Sequence, residues 1–256
     1  MGYARFMADL DAMARELDEA LLARREIEPL GKTHGGFDLA AAYRVQERGI
    51  ALRLKRGEKI VGYKMGLTSS AKRVQMSLDL PIYGVLTSAM RIAGDLRVAD
   101  GVHPKVEPEI AFVTARELSG RITRDEALAA LQAVMPALEV LDSRFTGFKY
   151  FSLPDVVADN CSSWRFALGE PVKPREVGGL HMRMSVDGRT AQEADSNAIS
   201  GHPLESLVQL VGMLPHPLPA GSIVLAGAAT VAEQLAPGML VTLEVEELGS
   251  LSVRAR

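Results

Sequence analysis

The chain has 256 residues, enough for one large domain or two small ones. Its 47% hydrophobic content supports a substantial core, and a net charge of −3 from 29 basic and 32 acidic residues argues against a nucleic-acid binder, which would carry a basic excess. The single cysteine, Cys161, excludes a disulfide framework within the chain and suits a reducing compartment.

The N-terminus, MGYARFMADLDAMARELDEA, carries acids throughout and has no uninterrupted apolar stretch, so it does not read as a signal peptide. No run approaches the ~18 apolar residues of a membrane span. The expectation is a cytoplasmic protein with neither a membrane nor a nucleic-acid partner. Met7, Leu10, Met13, Leu17, Ala20 and Leu21 recur at three- and four-residue spacing and predict an amphipathic helix over residues 7–26. A Pro/Gly break over residues 29–36 follows. A second helix is predicted from about Asp38, its cap, to Arg56, with Gly57 beyond its end. These helices predict a helical N-terminal subdomain, residues 1–57, packed on a catalytic mixed-β domain, residues 58–256.

From Ile60 the pattern changes. KIVGYKMGL, residues 59–67, reads as a strand or extended loop, followed by a short helix over 71–76 and an extended run over 80–86. Residues 106–114 read as a strand. Residues 124–135 read as a helix with Leu128 and Leu131 inside, stopped at Pro136, and 137–141 as a short strand. A helical turn over 154–160 precedes a strand over 164–168. Residues 182–186 end at Asp187–Gly188, a hairpin-turn signal. A helix over 203–214 and strands over 223–226, 241–245 and 251–254 complete the chain, the last two forming a hairpin around Gly249. Many short strands without regular β-α-β alternation predict an α+β protein with a mixed sheet, rolled or sandwiched.

The stretch His103–Thr114, HPKVEPEIAFVT, holds the first chemistry. Glu107 and Glu109 stand two apart on a strand and therefore share a face. Two acids so placed repel unless a cation or a proton lies between them. Pro108 cannot donate to a ladder, which predicts an edge strand or a bulge. A third carboxylate is available from LEVLD as Glu139 or as Asp142, and three carboxylates suit Mg²⁺ or Mn²⁺. The competing reading is an edge strand with its acids in water.

Lys64 lies between two glycines in GYKMG. Taken alone, it reads first as a surface lysine whose stem covers apolar residues. Beside a metal-bound carboxylate or enolate it could act as a ligand for negative charge, or as an acid or base. Asp79, in LDLP, is a candidate to orient Lys64 or a water, or an ordinary turn residue. Asn160, Ser162, Ser163 and Arg165, in NCSSWR, offer hydroxyls and a guanidinium to a substrate carboxylate, or merely begin a strand. Cys161 reads as a buried structural thiol. GSIVLAGAAT, residues 221–230, lacks both nucleotide-loop patterns and reads as a small-residue wall.

Taken in order, GYKMGLTSSAKRVQM, LDLPIYGVLTSAM, HPKVEPEIAFV, LEVLDSRF, LPDVVADNCSSWRFALG and GSIVLAGAAT resemble the 2-hydroxypentadienoate hydratase / 4-oxalocrotonate decarboxylase family of the fumarylacetoacetate hydrolase-like superfamily. The resemblance covers roughly residues 38–256. PIYG and HPKVEPEIAF resemble the decarboxylase branch more than the hydratase branch. The resemblance implies a mixed β-sheet roll with a helical N-terminal part. It implies a divalent metal, Mg²⁺ with Mn²⁺ as a substitute, held by Glu107, Glu109 and Glu139, which selects Glu139 over Asp142. It implies Lys64 and Asp79 as catalytic residues, with Ser162, Ser163, Arg165 and Leu67 binding substrate. The implied activity is decarboxylation of 4-oxalocrotonate, a small dicarboxylate 2-oxo acid. The alternatives are hydration of 2-hydroxypenta-2,4-dienoate and a non-catalytic partner role. A homo-oligomer and a complex with the pathway hydratase complete the expectation. Cys161 departs from the small Ala or Gly expected there.

Overall fold

The N-terminal helix α1 (Gly2–Ala23) buries Leu10, Met13, Ala14, Leu17 and Ala20, one apolar stripe at helical spacing. The computed structural model describes residues 2–68, 81–149 and 152–256. The short α2 (Leu30–Thr33) leads to α3 (Leu39–Lys55), whose cap Asp38 accepts a hydrogen bond from Ala41 N at 2.7 Å. Both long helices pack with α5 (Leu153–Ala158) around Val45, Phe145, Val156 and Val157. The same apolar cluster takes in Ile82 and Cys161 from the β region.

Two sheets form the β region. The larger has seven strands in the order β2 (Ile82–Thr87), β1 (Ile60–Gly66), β8 (Ile223–Leu225), β3 (Lys105–Thr114), β4 (Leu131–Leu141) and β5 (Ser163–Leu168), with β9 (Glu233–Gln234) also pairing β3. Its pairings are antiparallel except β1 with β8. The chain after β2 bridges to β5, where Ile92 N donates to Phe166 O at 2.8 Å. The sheet therefore curls until its two ends meet. The smaller sheet runs β11 (Gly249–Arg254), β10 (Leu240–Val245), β6 (His181–Val186), β7 (Arg189–Asp195).

The pleat gives the rolled sheet two unlike faces. Its outer face carries Tyr63, Met65, Val106, Ile110, Phe112, Leu138 and Val140, which share one core with the smaller sheet and with α6 (Pro203–Met213). Its inner face carries Leu86, Ala111, Met135, Ala137, Phe166 and Leu225 as an apolar plug. Beyond that plug, the inner face turns acidic.

Three readings are corrected. The helix expected over 124–135 is only α4 (Arg124–Ala129), and the chain turns into β4 at Leu131. Pairing along nearly all of β3 overrides the helix propensity of its alanines. Pro136 does not stop β4: its carbonyl accepts from Gly169 N at 2.9 Å, and the strand continues through it. Pro108 marks neither an edge nor a bulge, because β3 lies inside the sheet between β8 and β4. Its carbonyl accepts from Ala229 N at 3.2 Å, so its missing N–H faces the segment between β8 and β9 and no ladder bond to β4 is lost. The hairpin expected at Asp187–Gly188 forms, and β7 is its second arm, over residues for which no strand was expected. Asp187 and Gly188, with φ of 50° and 77°, make the turn that recruits it.

Candidate metal centre

Register brings the acids together. In the β3–β4 ladder Glu107 lies opposite Glu139, and opposed residues share a face. Glu109 joins them by the two-residue period. One carboxylate oxygen from each lies within 4.8 Å of the other two. Glu109 and Glu139 are 0% exposed and Glu107 is 8% exposed. Asp142, the alternative third acid, serves elsewhere. It closes the loop before β3 by accepting from Val102 N and His103 N.

Lys64 reaches the same chamber from β1, two strands away across β8. It is only 4% exposed, and its Nζ stands 3.0 Å from Glu139 Oε2. The surface-lysine reading is therefore excluded by position. Burial alone would push the ammonium down, but Glu139, with Cys161, Glu109 and Glu107, outweighs it and holds the group above its ordinary range. Glu109 shifts the other way. Burial and then the Glu139 charge push its carboxyl well up, against Lys64 and the Gly227 N–H that donates to Oε2 at 2.8 Å. Position 227 needs glycine, since its φ is +103° and a Cβ there would stand 2.5 Å from Thr68.

These side chains fit a metal. Glu109 Oε1 and both oxygens of Glu139 are buried without a hydrogen-bond partner, although Lys64 supplies charge to one of them. With a cation bound and all three carboxylates ionised, the acids and one ammonium carry two net negative charges, which a divalent cation cancels. An all-oxygen set suits a hard cation such as Mg²⁺ or Mn²⁺.

The chamber opens into a cleft of about 350 Å³ lined by Lys64, Glu107, Leu67, Ile82, Phe148 and Val156 among others. Leu67 takes φ +56° at its edge. One wall is the 3-10 turn Asn160–Ser162, three consecutive left-handed residues with φ of 50°, 53° and 57°. Such backbone costs roughly 1–2 kcal/mol per residue and needs fixing. Asn160 does so like a strand partner: its Oδ1 accepts from Val85 N at 2.8 Å and its Nδ2 donates to Val85 O at 2.9 Å. Gly84 leaves the room, because a Cβ there would stand 2.7 Å from Asn160 O and 3.2 Å from Lys64 Cγ. Cys161 Sγ donates to Tyr83 O at 3.1 Å, and burial pushes the thiol up to about 12, as a structural cysteine requires.

Ser162 is buried in this turn. Ser163 lies opposite Leu141, on the inner face with Glu139, and its Oγ is buried with no hydrogen-bond partner. Arg165 is not brought to the cleft, which corrects its place among the substrate residues. A register shift at the start of β5 pairs it with Val140, so it points to the outer face, and its guanidinium lies 4.7 Å over Trp164. Asp79 and the short helix expected over 71–76 lie outside the described residues. Sequence reasoning missed Lys105, which also lines this cleft. Its signal was the alternation Lys105, Glu107, Glu109 along one strand face.

Residues 59–256 match the family described as fumarylacetoacetate (FAA) hydrolase C-terminal. A 4-oxalocrotonate decarboxylase of Pseudomonas sp. is 45% identical over 95% of this chain and 96% of its own length. A 2-hydroxyhexa-2,4-dienoate hydratase of Comamonas testosteroni is 30% identical over 96% of this chain and 97% of its own. The solved 4-oxalocrotonate decarboxylase of Pseudomonas putida G7, complexed with magnesium and adipate, superposes with a TM-score of 0.94 at 34% identity, covering 98% of both chains. From these matches and the site above, the chain belongs to the fumarylacetoacetate hydrolase family, in the group that holds 4-oxalocrotonate decarboxylases and dienoate hydratases.

Proposed function

We propose that this protein decarboxylates 4-oxalocrotonate (2-oxohex-3-enedioate) to 2-hydroxypenta-2,4-dienoate and CO₂, with Mg²⁺ held by Glu107, Glu109 and Glu139. The observation that carries the reading is the buried triad, in which Glu109 Oε1 and Glu139 Oε1 have no hydrogen-bond partner and Lys64 stands beside Glu139 Oε2. A divalent cation bound there supplies Lewis acidity to a chelating 2-oxo acid.

The rest falls to the chain. The C5–C6 bond breaks, CO₂ leaves, and the electron pair moves through C4 and C3 to the C2 oxygen, which takes one proton from water entering the cleft to give the 2-hydroxydienoate. Lys64, held as an ammonium by its ion pair with Glu139, sets positive charge where that oxygen gains negative charge. Ser163 Oγ is a free donor on the same face for the C1 carboxylate. Leu67, Ile82 and Val156 give the substrate's carbon chain an apolar wall. Asp79 is assigned to orienting Lys64 or a proton-carrying water. The relatives named as decarboxylases, the first at 45% identity, support this reading over the hydratase.

The test is direct. Purified protein with Mg²⁺ is given 4-oxalocrotonate and, separately, 2-hydroxypenta-2,4-dienoate, with CO₂ release and dienol consumption measured. CO₂ from the first is expected. Dienol consumption without CO₂ would replace the reading with the hydratase. No helix among the described residues is long and apolar enough to cross a membrane, and we place the enzyme in the cytoplasm. The reading extends to a homo-oligomer and to a complex with the hydratase that consumes the dienol. Sedimentation of the single and mixed proteins tests both.

A further inference from the structure

A six-carbon dicarboxylate anchored at the triad has a second charge to place. Its carboxyl carbons stand about 6 Å apart when five C–C bonds are extended. The inner face of β3 continues past Glu107 by one more two-residue step, about 7 Å between Cα atoms, to Lys105. Lys105 lies opposite Leu141, and both line the cleft that holds Lys64 and Glu107. Its Nζ rests 4.2 Å from the centroid of the Phe148 ring, a second lining residue. Among the described residues no carboxylate lies within ion-pair reach of Lys105.

The platform beneath it is braced. Phe148 packs edge-on to His103, with centroids 6.4 Å apart, and His103 Nε2 pairs with Glu26 Oε1 at 2.5 Å. Glu26 also accepts from Gly147 N at 2.7 Å, next to Phe148. A lysine with no carboxylate partner among the described residues, steadied on a braced aromatic ring one two-residue step along the strand face from Glu107, has the chemistry of an anion subsite. Nothing else among the described cleft residues carries a free positive charge there, since Lys64 is committed to Glu139.

We propose that Lys105, seated over Phe148 at the open end of the cleft, binds the distal carboxylate of the substrate and so selects dicarboxylate over monocarboxylate 2-oxo acids. The inference rests on the reading of the triad as the anchor for the 2-oxo acid end. It also divides the two lysines by role. Lys105 holds the carboxylate that will leave, and Lys64 meets the charge after it has moved to the C2 oxygen. Lys105 therefore governs binding more than the chemical step.

The test uses two ligands that lack the conjugated double bond and so are not decarboxylated by this route: 2-oxoadipate and 2-oxohexanoate. Calorimetric titration into the Mg²⁺-loaded protein compares wild type, Lys105→Met and Lys105→Arg. Wild type is expected to prefer 2-oxoadipate by about tenfold, the lower end for a charge-assisted contact that stays partly wet. Lys105→Met should lose that preference while binding 2-oxohexanoate as before, and Lys105→Arg should keep it. Unaltered 2-oxohexanoate binding doubles as the control for folding. A preference that survives Lys105→Met, or is absent from wild type, would overturn the subsite. An equal loss of both ligands in Lys105→Met would overturn it too, because that assigns the residue to general cleft electrostatics. Failure of wild type to bind either ligand would overturn the anchor, and with it the proposed function.

Discussion

Glu109 and Glu139 are fully buried, and a buried carboxylate costs several kcal/mol unless charge or hydrogen bonds offset it. Lys64 and the Gly227 N–H offset only part. The remaining strain is what a divalent cation relieves, so binding is expected to stabilise the fold. At a hundredfold excess over its dissociation constant the gain is about 2.7 kcal/mol. Glu107→Gln should weaken Mg²⁺ binding at least about tenfold by calorimetry, since it removes one of three anionic ligands. Unchanged affinity would remove Glu107 from the site. Lys64→Met separates charge at the metal from charge at the substrate. Turnover should fall about 10²-fold, as when a preorganised electrostatic partner is lost. Mg²⁺ affinity should hold or rise, because a positive neighbour has gone. A parallel loss of Mg²⁺ affinity would show Lys64 to be structural. Glu107 and Glu109 were legible because a two-residue period fixes a shared face whatever lies beyond the strand. Glu139 was not separable from Asp142 by spacing, because the choice depends on the β3–β4 register and on Asp142 closing a loop with Val102 N and His103 N. Lys105 was equally legible, since the alternation that places the two acids on one face extends back to it.

At the scale of elements, the turn Asn160–Ser162 is the part a residue pattern hides most completely. NCS reads as loop chemistry, whereas the structure gives Asn160 the work of a strand neighbour to Val85. Asn160→Ala strands a buried donor and acceptor and puts alanine at φ near +50°. The expected loss is about 3 kcal/mol in denaturant unfolding. A loss under about 1 kcal/mol would mean the turn holds itself. The preceding residue adds a pH dependence. Burial pushes the Asp159 carboxyl up to about 6, against the pull of Arg144, whose Nε donates to Oδ1 at 2.6 Å. A carboxyl with a raised folded pKa binds its proton longer in the folded state. Its stabilisation is therefore present at low pH and lost as pH rises from about 4 through 6. Relative to Asp159→Asn, wild type should lose about 2 kcal/mol between pH 4.5 and 7. A constant difference across that range would contradict the shift. Strand β4 is hidden for a related reason: it follows directly on Ala127 and Ala129 of α4 and its cap Ala130, and its partner β3 is separated from it by that helix and the loop before it. The hairpin of β10 and β11 was legible because its turn and both strands are adjacent in the chain.

For the whole molecule, the roll and its helical layer divide the labour. The outer face of the rolled sheet shares its core with the smaller sheet, so stability comes from apolar burial away from the chemistry. The inner face is filled at one end by Ala111, Met135, Phe166 and Leu225, which leaves the acids at the other end shielded on all sides but the cleft. The helices α1, α3 and α5 then back the Asn160–Ser162 turn through the cluster that contains Cys161. An α+β mixed sheet followed from short strands with few helices between them. The curl that joins the ends of the sheet did not, because it depends on one bridge between Arg91 and Phe166, distant in sequence.

The central claim is that the triad, loaded with a divalent cation beside Lys64, removes CO₂ from a six-carbon 2-oxo diacid. Chelator-stripped protein is titrated with Mg²⁺ in the presence of 4-oxalocrotonate while CO₂ release is followed. No release above the uncatalysed rate is expected without Mg²⁺, and saturable release as Mg²⁺ is restored. CO₂ release at full rate from the stripped protein, or none at any Mg²⁺ concentration, would contradict it.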